Sequence, residues 1–195
     1  MNKQFDRKIF TAGSFFSDLY FLMSHFISIA KASKNEKISK AFIEKIMTVC
    51  TAVNGCVYCE WFHAKQAVKS GISESEVKNM INLQFHADAS DFEIPALLYT
   101  QHFAETNRNP DAEMTNGFKE FYGLKTSKDI YMFIRMIYFG NLTGNTWDAI
   151  FSRFKGKPAP NSKIWFEILF FILMFIFMFP IMILMRMDKN KKDYS

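Results

Sequence analysis

The chain has 195 residues, a formal net charge of +5 and a pI near 9.0, enough for one domain of ordinary size with an appendage and too few for two. Its basic residues are scattered, clustering only between positions 31 and 45 and after Arg186. No aromatic-basic motif accompanies them, which argues against a nucleic-acid partner. Three cysteines, two of them three positions apart, do not make a disulfide framework and point instead to redox or metal chemistry.

Nearly every segment has helical period and no run alternates in the manner of a strand, so the expected fold class is all-α. Residues 1–13 read as an N-terminal segment. Lys3, Arg7 and Lys8 before the apolar stretch 15–30 resemble the start of a signal peptide, but Asp18, Ser24 and His25 interrupt it. Phe15, Leu19, Leu22, Met23, Phe26 and Ala30 recur at helical steps instead, predicting an amphipathic helix over 14–31. Lys31, Lys34 and Lys37 then read as a solvated face. A second helix over 36–53 carries the stripe Ile43, Ile46, Met47, Cys50 and Val53, with Glu44 on its margin.

A third helix over 56–70 opens after Asn54-Gly55 with Cys56-Val57-Tyr58-Cys59 and continues to His63. Offsets of three, four and seven place Cys56, Cys59 and His63 on one face. At the helix start, unpaired N–H groups favour a thiolate on the first cysteine, and thiolate is the reactive form. Zinc is the chemical alternative, since two thiolates and an imidazole are good ligands. A fourth ligand is not evident, because Cys50 reads as a small buried hydrophobe. Haem attachment needs histidine where Glu60 stands. Trp61 and Phe62 fall on other faces and read as packing residues, and His25, His86 and His102 as ordinary surface positions.

Further helices are expected over 73–85, 91–106, 111–122 and 127–152. Gly71 closes the preceding helix and Ser73 to Glu76 fits a capping box; Thr126 to Asp129 offers another start signal after Gly123. The Met- and Phe-rich run 131–139 reads as a core or subunit-contact stripe. Residues 155–163, with Gly156, Pro158 and Pro160, read as a short extended linker. Residues 164–187 are apolar apart from Glu167 and Arg186, long enough to cross a bilayer, with Trp165 at one end and Arg186, Lys189, Lys191 and Lys192 at the other. Residues 188–195 form a basic tail. The expectation is a single-pass helix with the preceding domain on the cytoplasmic side.

Glu44, eleven intervening residues, then Cys56-x-x-Cys59-x-x-x-His63 is similar to the AhpD-like branch of the carboxymuconolactone decarboxylase family. The similarity runs over about 14–154 and includes Ile94-Pro95-Ala96-Leu97-Leu98-Tyr99 and Gly140-Asn141-Leu142. The resemblance implies an all-helical, oligomeric protein with thiol-dependent peroxidase activity and no bound cofactor. Cys59 would be the peroxidatic nucleophile and Cys56 the resolving thiol, with His63 and Glu44 as proton relay. By residue chemistry alone, Glu44 reads as a solvated edge carboxylate. The founding peroxidase type has a further histidine where this chain has Tyr58. The implied partners are a hydroperoxide, a dithiol, thioredoxin-like or lipoyl reductant, and further copies of the chain. The apolar helix lies outside the resemblance and adds a lipid bilayer; a tether there favours a hydrophobic peroxide. A membrane-tethered helical interaction module, or a redox sensor using a Cys56–Cys59 disulfide, is the reading from another class.

Overall fold

The computed structural model describes residues 5–160 and 162–192, of which 189–192 in backbone only. Among these residues the structure is all-helical, with helices α1 (Ala12–Ser24), α2 (Phe26–Ala32), α3 (Lys40–Asn54), α4 (Val57–Lys69), α5 (Glu74–Ile81), α6 (Ile94–Glu105), α7 (Ala112–Phe154) and α8 (Ile164–Lys192). The side chains of Lys189, Lys191 and Lys192, and residues 193–195 of the expected basic tail, lie outside the described residues.

Helix α3 is the hub, packed by α4, α5, α6 and α7. It starts at Ser39, whose hydroxyl accepts the Phe42 N–H, and it is buried well beyond a single stripe: Phe42, Ile46, Met47, Val49 and Cys50 are all sequestered. Lys45 is drawn in too, paired with Glu93 at 2.9 Å. Deleting one large core side chain here costs about 2–5 kcal/mol.

The predicted start signals are met unevenly. Ser73 and Glu76 make the capping box at α5, and Gly71 takes φ +93° after α4. The break between the two helices expected over 111–152 lies at Gly123 itself, with φ 73° and ψ 164°. Thr126 is therefore already inside helix and buried, because only glycine adopts that backbone without strain. The helix expected over 14–31 is broken at His25 into α1 and α2. Its buried line also differs from the predicted one: Phe15 and Asp18 face inward, while Met23 and Phe26 are exposed. Asp18 is buried because Arg135 pairs with it at 2.9 Å and Arg108 also reaches it, which satisfies a charge that burial would otherwise penalise.

The segment expected as an extended linker is folded onto the domain. Gly156 turns the chain at φ +73°, Lys157 and Ser152 exchange hydrogen bonds, and Ala159 is buried with Phe5 and Ala149. This turn sends α8 back antiparallel to the second half of α7. Phe166 and Phe170 pack against Phe10, Phe15 and each other, and Trp147 stacks on Phe171 with ring centroids 4.9 Å apart. Glu167 pairs with Arg153 at 2.5 and 3.1 Å. At the far end, Asp188 accepts from Trp61 Nε1 at 2.9 Å and from Lys65. Helix α8 is long and apolar enough to cross a membrane, and most of its apolar surface remains uncovered, including Ile168, Ile172 and Ile176.

Candidate functional site

The site forms where α3 ends, α4 begins and α7 crosses both. Gly55 ends α3 in the left-handed conformation, φ 66° and ψ 32°, and reverses the chain within one residue. Cys56 is then the N-cap of α4: its Sγ accepts the Cys59 N–H at 3.4 Å. Cys56 is fully buried and Cys59 partly exposed. The two sulfurs stand 2.7 Å apart as free thiols.

This contact polarises the pair. Burial works against charge on Cys56, but the Cys59 thiol and the N–H groups of Cys59 and Tyr58 outweigh it and hold its thiol below the ordinary range. Cys59 is pushed well up, first by its hydrogen bond with Cys56 and second because it is buried. The direction of the shift at Cys56 is the one expected of a thiol at a helix start. Cys50, the third cysteine, is enclosed in the core, bonded to Asn54 and Asn141 and pushed up to about 12 by burial.

Glu44 is not a solvated edge carboxylate. Its Oε2 lies 2.8 Å from His63 Nδ1, with the two side chains 17% and 15% exposed. A carboxylate on Nδ1 fixes the ring and leaves Nε2 as the nitrogen available to its surroundings. Of the four predicted residues, Glu44 meets His63 across α3 and α4, Cys56 meets Cys59 at the start of α4, and Cys59 and His63 line one cavity.

Three further residues position this junction and were not singled out from the sequence. On α7, Asn145 donates to the Asn54 carbonyl at 2.8 Å, and Asp148 accepts the Tyr58 hydroxyl at 2.5 Å. From the N-terminal segment, Arg7 reaches the Gly55 carbonyl at 3.3 Å, Asn145 at 3.2 Å and Asp148 at 2.8 Å. Tyr58, standing where the founding peroxidase type has a histidine, has its acidity suppressed first by burial and then by that Asp148 bond. Its hydroxyl is committed to the scaffold. Asn141, which bonds Thr51 at 2.9 Å, Asn145 and Asp148 follow each other at four- and three-residue steps, a polar line on an apolar helix that is the signal for this clamp.

Gly144 completes the packing. A Cβ at this position would meet Cys56 Sγ at 2.6 Å and Tyr58 Cδ2 at 3.2 Å, so α7 approaches the thiol pair this closely only with glycine. Glycine inside a helix costs about 1 kcal/mol relative to alanine, and that cost is the sequence signal.

A cavity of about 730 Å³ opens beside Cys59 and His63 between α4, α7 and α8, with Thr143 and Gly144 on its α7 side and Met174, Met178 and Ile181 on its α8 side. Trp61 and Phe62, expected as packing residues on other faces, are part of its wall.

The fold and the site together define an all-helical domain with a thiol pair beside an imidazole–carboxylate pair. Residues 22–98 match the carboxymuconolactone decarboxylase family, and the AhpD-like branch lies within that family. The match runs from the end of α1 into α6 and includes Glu44, Cys56, Cys59 and His63; the clamp on α7 and the whole of α8 fall beyond it. No curated protein matches the chain.

Proposed function

We propose that this protein is a thiol-dependent peroxidase or thiol-disulfide oxidoreductase that reduces hydroperoxides through Cys56 and Cys59 and is regenerated by an external dithiol, with no bound cofactor. The observation that carries the reading is the pairing of two sulfurs 2.7 Å apart with a His63–Glu44 bond of 2.8 Å at one cavity. Cys59 is the member of the pair that lines this cavity, which supports its role as the sulfur that meets peroxide.

Cys59 attacks the terminal peroxide oxygen as its proton passes to the Cys56 thiolate. The O–O bond breaks, and the departing alkoxide takes a proton from His63, leaving an alcohol and a Cys59 sulfenic acid. The Cys56 sulfur then displaces hydroxide from Cys59, which leaves as water with the Cys56 proton. A disulfide forms, and two electrons have moved from the thiol pair to the peroxide. A dithiol donor, thioredoxin-like or lipoyl, returns them by exchange and is itself oxidised to a disulfide.

Helix α8 holds the protein at a membrane, with the domain on the cytoplasmic side. Copies of the chain assemble into a homo-oligomer; Phe16, Tyr20, Met23 and Ile27, exposed at helical spacing on α1 and α2, support such a contact.

Hydroperoxide added to the reduced protein with a dithiol tests the reading, with peroxide loss and intact mass followed for the wild type and Cys59→Ser. Repeated turnover that falls to background in the variant is the expected result. Disulfide formation without turnover identifies a redox sensor instead, and stoichiometric zinc retained at neutral pH overturns both.

A further inference from the structure

We infer that Arg7 is a positioning residue for the thiol pair: its guanidinium joins the Gly55 carbonyl, just before Cys56, to the Asp148 carboxylate on α7, and offsets the negative charge that this carboxylate brings to the Cys56 sulfur. The inference rests on the reading of Cys56 and Cys59 as a redox pair and adds what sets the charge on Cys56. Arg7 and Asp148 both lie outside residues 22–98, the stretch that matches the family.

Three observations carry it. The first is the place of the carboxylate. A Cβ on Gly144 would meet Cys56 Sγ at 2.6 Å, and Asp148, four residues on, shares that face of α7 one turn away. It accepts the Tyr58 hydroxyl at 2.5 Å, and its charge works against charge on Cys56. The second is the fork of the guanidinium. Nη2 donates to Asp148 at 2.8 Å while Nη1 donates to the Gly55 carbonyl at 3.3 Å and to Asn145 Oδ1 at 3.2 Å, a reach that a single ammonium does not reproduce. The third is how firmly the N-terminal segment holds that fork. The Arg7 stem packs over Gly55, where a Cβ would stand 3.4 Å from Arg7 Cδ, and the guanidinium lies 4.8 Å from the Phe5 ring centroid. Phe5 is itself buried with Ala149 and Ala159, and the Phe10 N–H donates to the Thr146 hydroxyl at 2.9 Å.

Among the described residues, Cys59 and Tyr58 of α4, Cys50 of α3 and Asp148 of α7 are the titratable groups whose charge bears on Cys56. His63, further along α4, is engaged by Glu44 of α3. Arg7 faces this set from the N-terminal segment and pairs with Asp148. Without Arg7 the carboxylate stands uncompensated and disfavours the thiolate; without Asp148 the guanidinium favours it.

The test reads thiolate absorbance of the full-length reduced protein in detergent across pH, with no peroxide present. Arg7→Gln should move the lower step up by about 0.5–1 unit, less than a fully sheltered neighbour gives because the ion pair is partly exposed. Asp148→Asn, whose amide oxygen still accepts the Tyr58 hydroxyl, should move it down by a similar amount. The double variant should return it to within about 0.2 unit of wild type, since both charges are gone. Arg7→Lys keeps the charge without the fork and should hold the step nearer to wild type than Arg7→Gln does. A purely structural role for Arg7 predicts otherwise, because losing both partners loosens the turn further and leaves the step displaced. A double variant displaced as far as Arg7→Gln, single variants that both leave the step in place, or a lysine variant no different from glutamine overturns the inference. Should Arg7→Gln fail to fold, Asp148→Asn decides alone, since its step must fall. Absence of peroxide turnover with this order of steps intact would sink the enzymatic reading and leave the role of Arg7 standing; turnover with the steps unmoved would do the reverse.

Discussion

Helices α4 and α8 meet across one cavity, yet they arrive there by different physics. Helix α4 carries its chemistry in its own periodicity: Cys56, Cys59 and His63 share a face because of helix geometry alone, and the N-cap position of Cys56 follows from Gly55. Helix α8 carries almost no polar group, and what places it is contact with residues far away in sequence, from Arg153 and Glu167 at one end to Trp61, Lys65 and Asp188 at the other. The contrast teaches that a reactive helix can be read from spacing, whereas an apolar helix declares only that it avoids water. Lipid and a protein cavity satisfy that requirement equally well. As found, α8 is tied to the domain at both ends of about 30 Å of helix; crossing a bilayer with the domain on one side requires both ties to open.

Substitutions at the α4 side should have the largest effects. His63→Ala removes the group proposed to return a proton to the leaving alkoxide, and kcat for peroxide reduction should fall about 10²-fold or more, measured by dithiol-coupled turnover. A fall of less than threefold would break the relay reading.

Gly144→Ala tests whether α7 must approach the thiol pair so closely. The new Cβ sits 2.6 Å from Cys56 Sγ, so thermal unfolding should reveal a loss of about 1–3 kcal/mol from overpacking, with slowed disulfide formation. Unchanged stability would mean that α7 moves freely relative to α4.

The polarised pair has a pH signature. Lowering at Cys56 and raising at Cys59 should give thiolate absorbance in two steps, one below and one above the ordinary thiol value of 9.0, belonging to the pair jointly. Peroxide reactivity rises with pH through the lower step, since deprotonation creates the Cys56 thiolate that takes the Cys59 proton during attack. Cys59→Ala removes the hydrogen bond between the two thiols, so the remaining Cys56 step should move up; a step that stays in place would assign the lowering to the backbone N–H groups alone.

On the α8 side the smallest effect is expected. Asp188→Asn weakens a partly exposed tie and should cost no more than about 1 kcal/mol, but Trp61 emission should shift to the blue as its indole N–H loses a charged acceptor. No shift would mean that the end of α8 is held by its apolar contacts.

The legibility of the site follows the same division. Glu44 reached His63 in the sequence only through a family resemblance, since its helix position alone is that of a solvated edge residue. The distance between them depends on the angle at which α3 and α4 meet, and Gly55 sets that angle in three dimensions. The polar line of Asn145 and Asp148 on α7 marks a helix face but not its partners, and those of Asn145, Asp148 and Arg7 lie 48 to 141 positions away. The folded turn at 155–160 was hidden for a related reason: Gly156 and two prolines mark a break in helix, and only Ala159 packing against Phe5 and Ala149 decides that the chain returns.

The sequence by itself determined the all-helical class, the shared face of Cys56, Cys59 and His63, the N-cap thiol and the apolar character of α8, because each depends on residues within a few turns of one another. The tertiary structure alone decided that Glu44 holds His63, that α7 clamps the junction through Gly144, and that α8 folds back to wall a cavity at Cys59. Those are distances between helices, set by packing complementarity among residues that no periodicity connects.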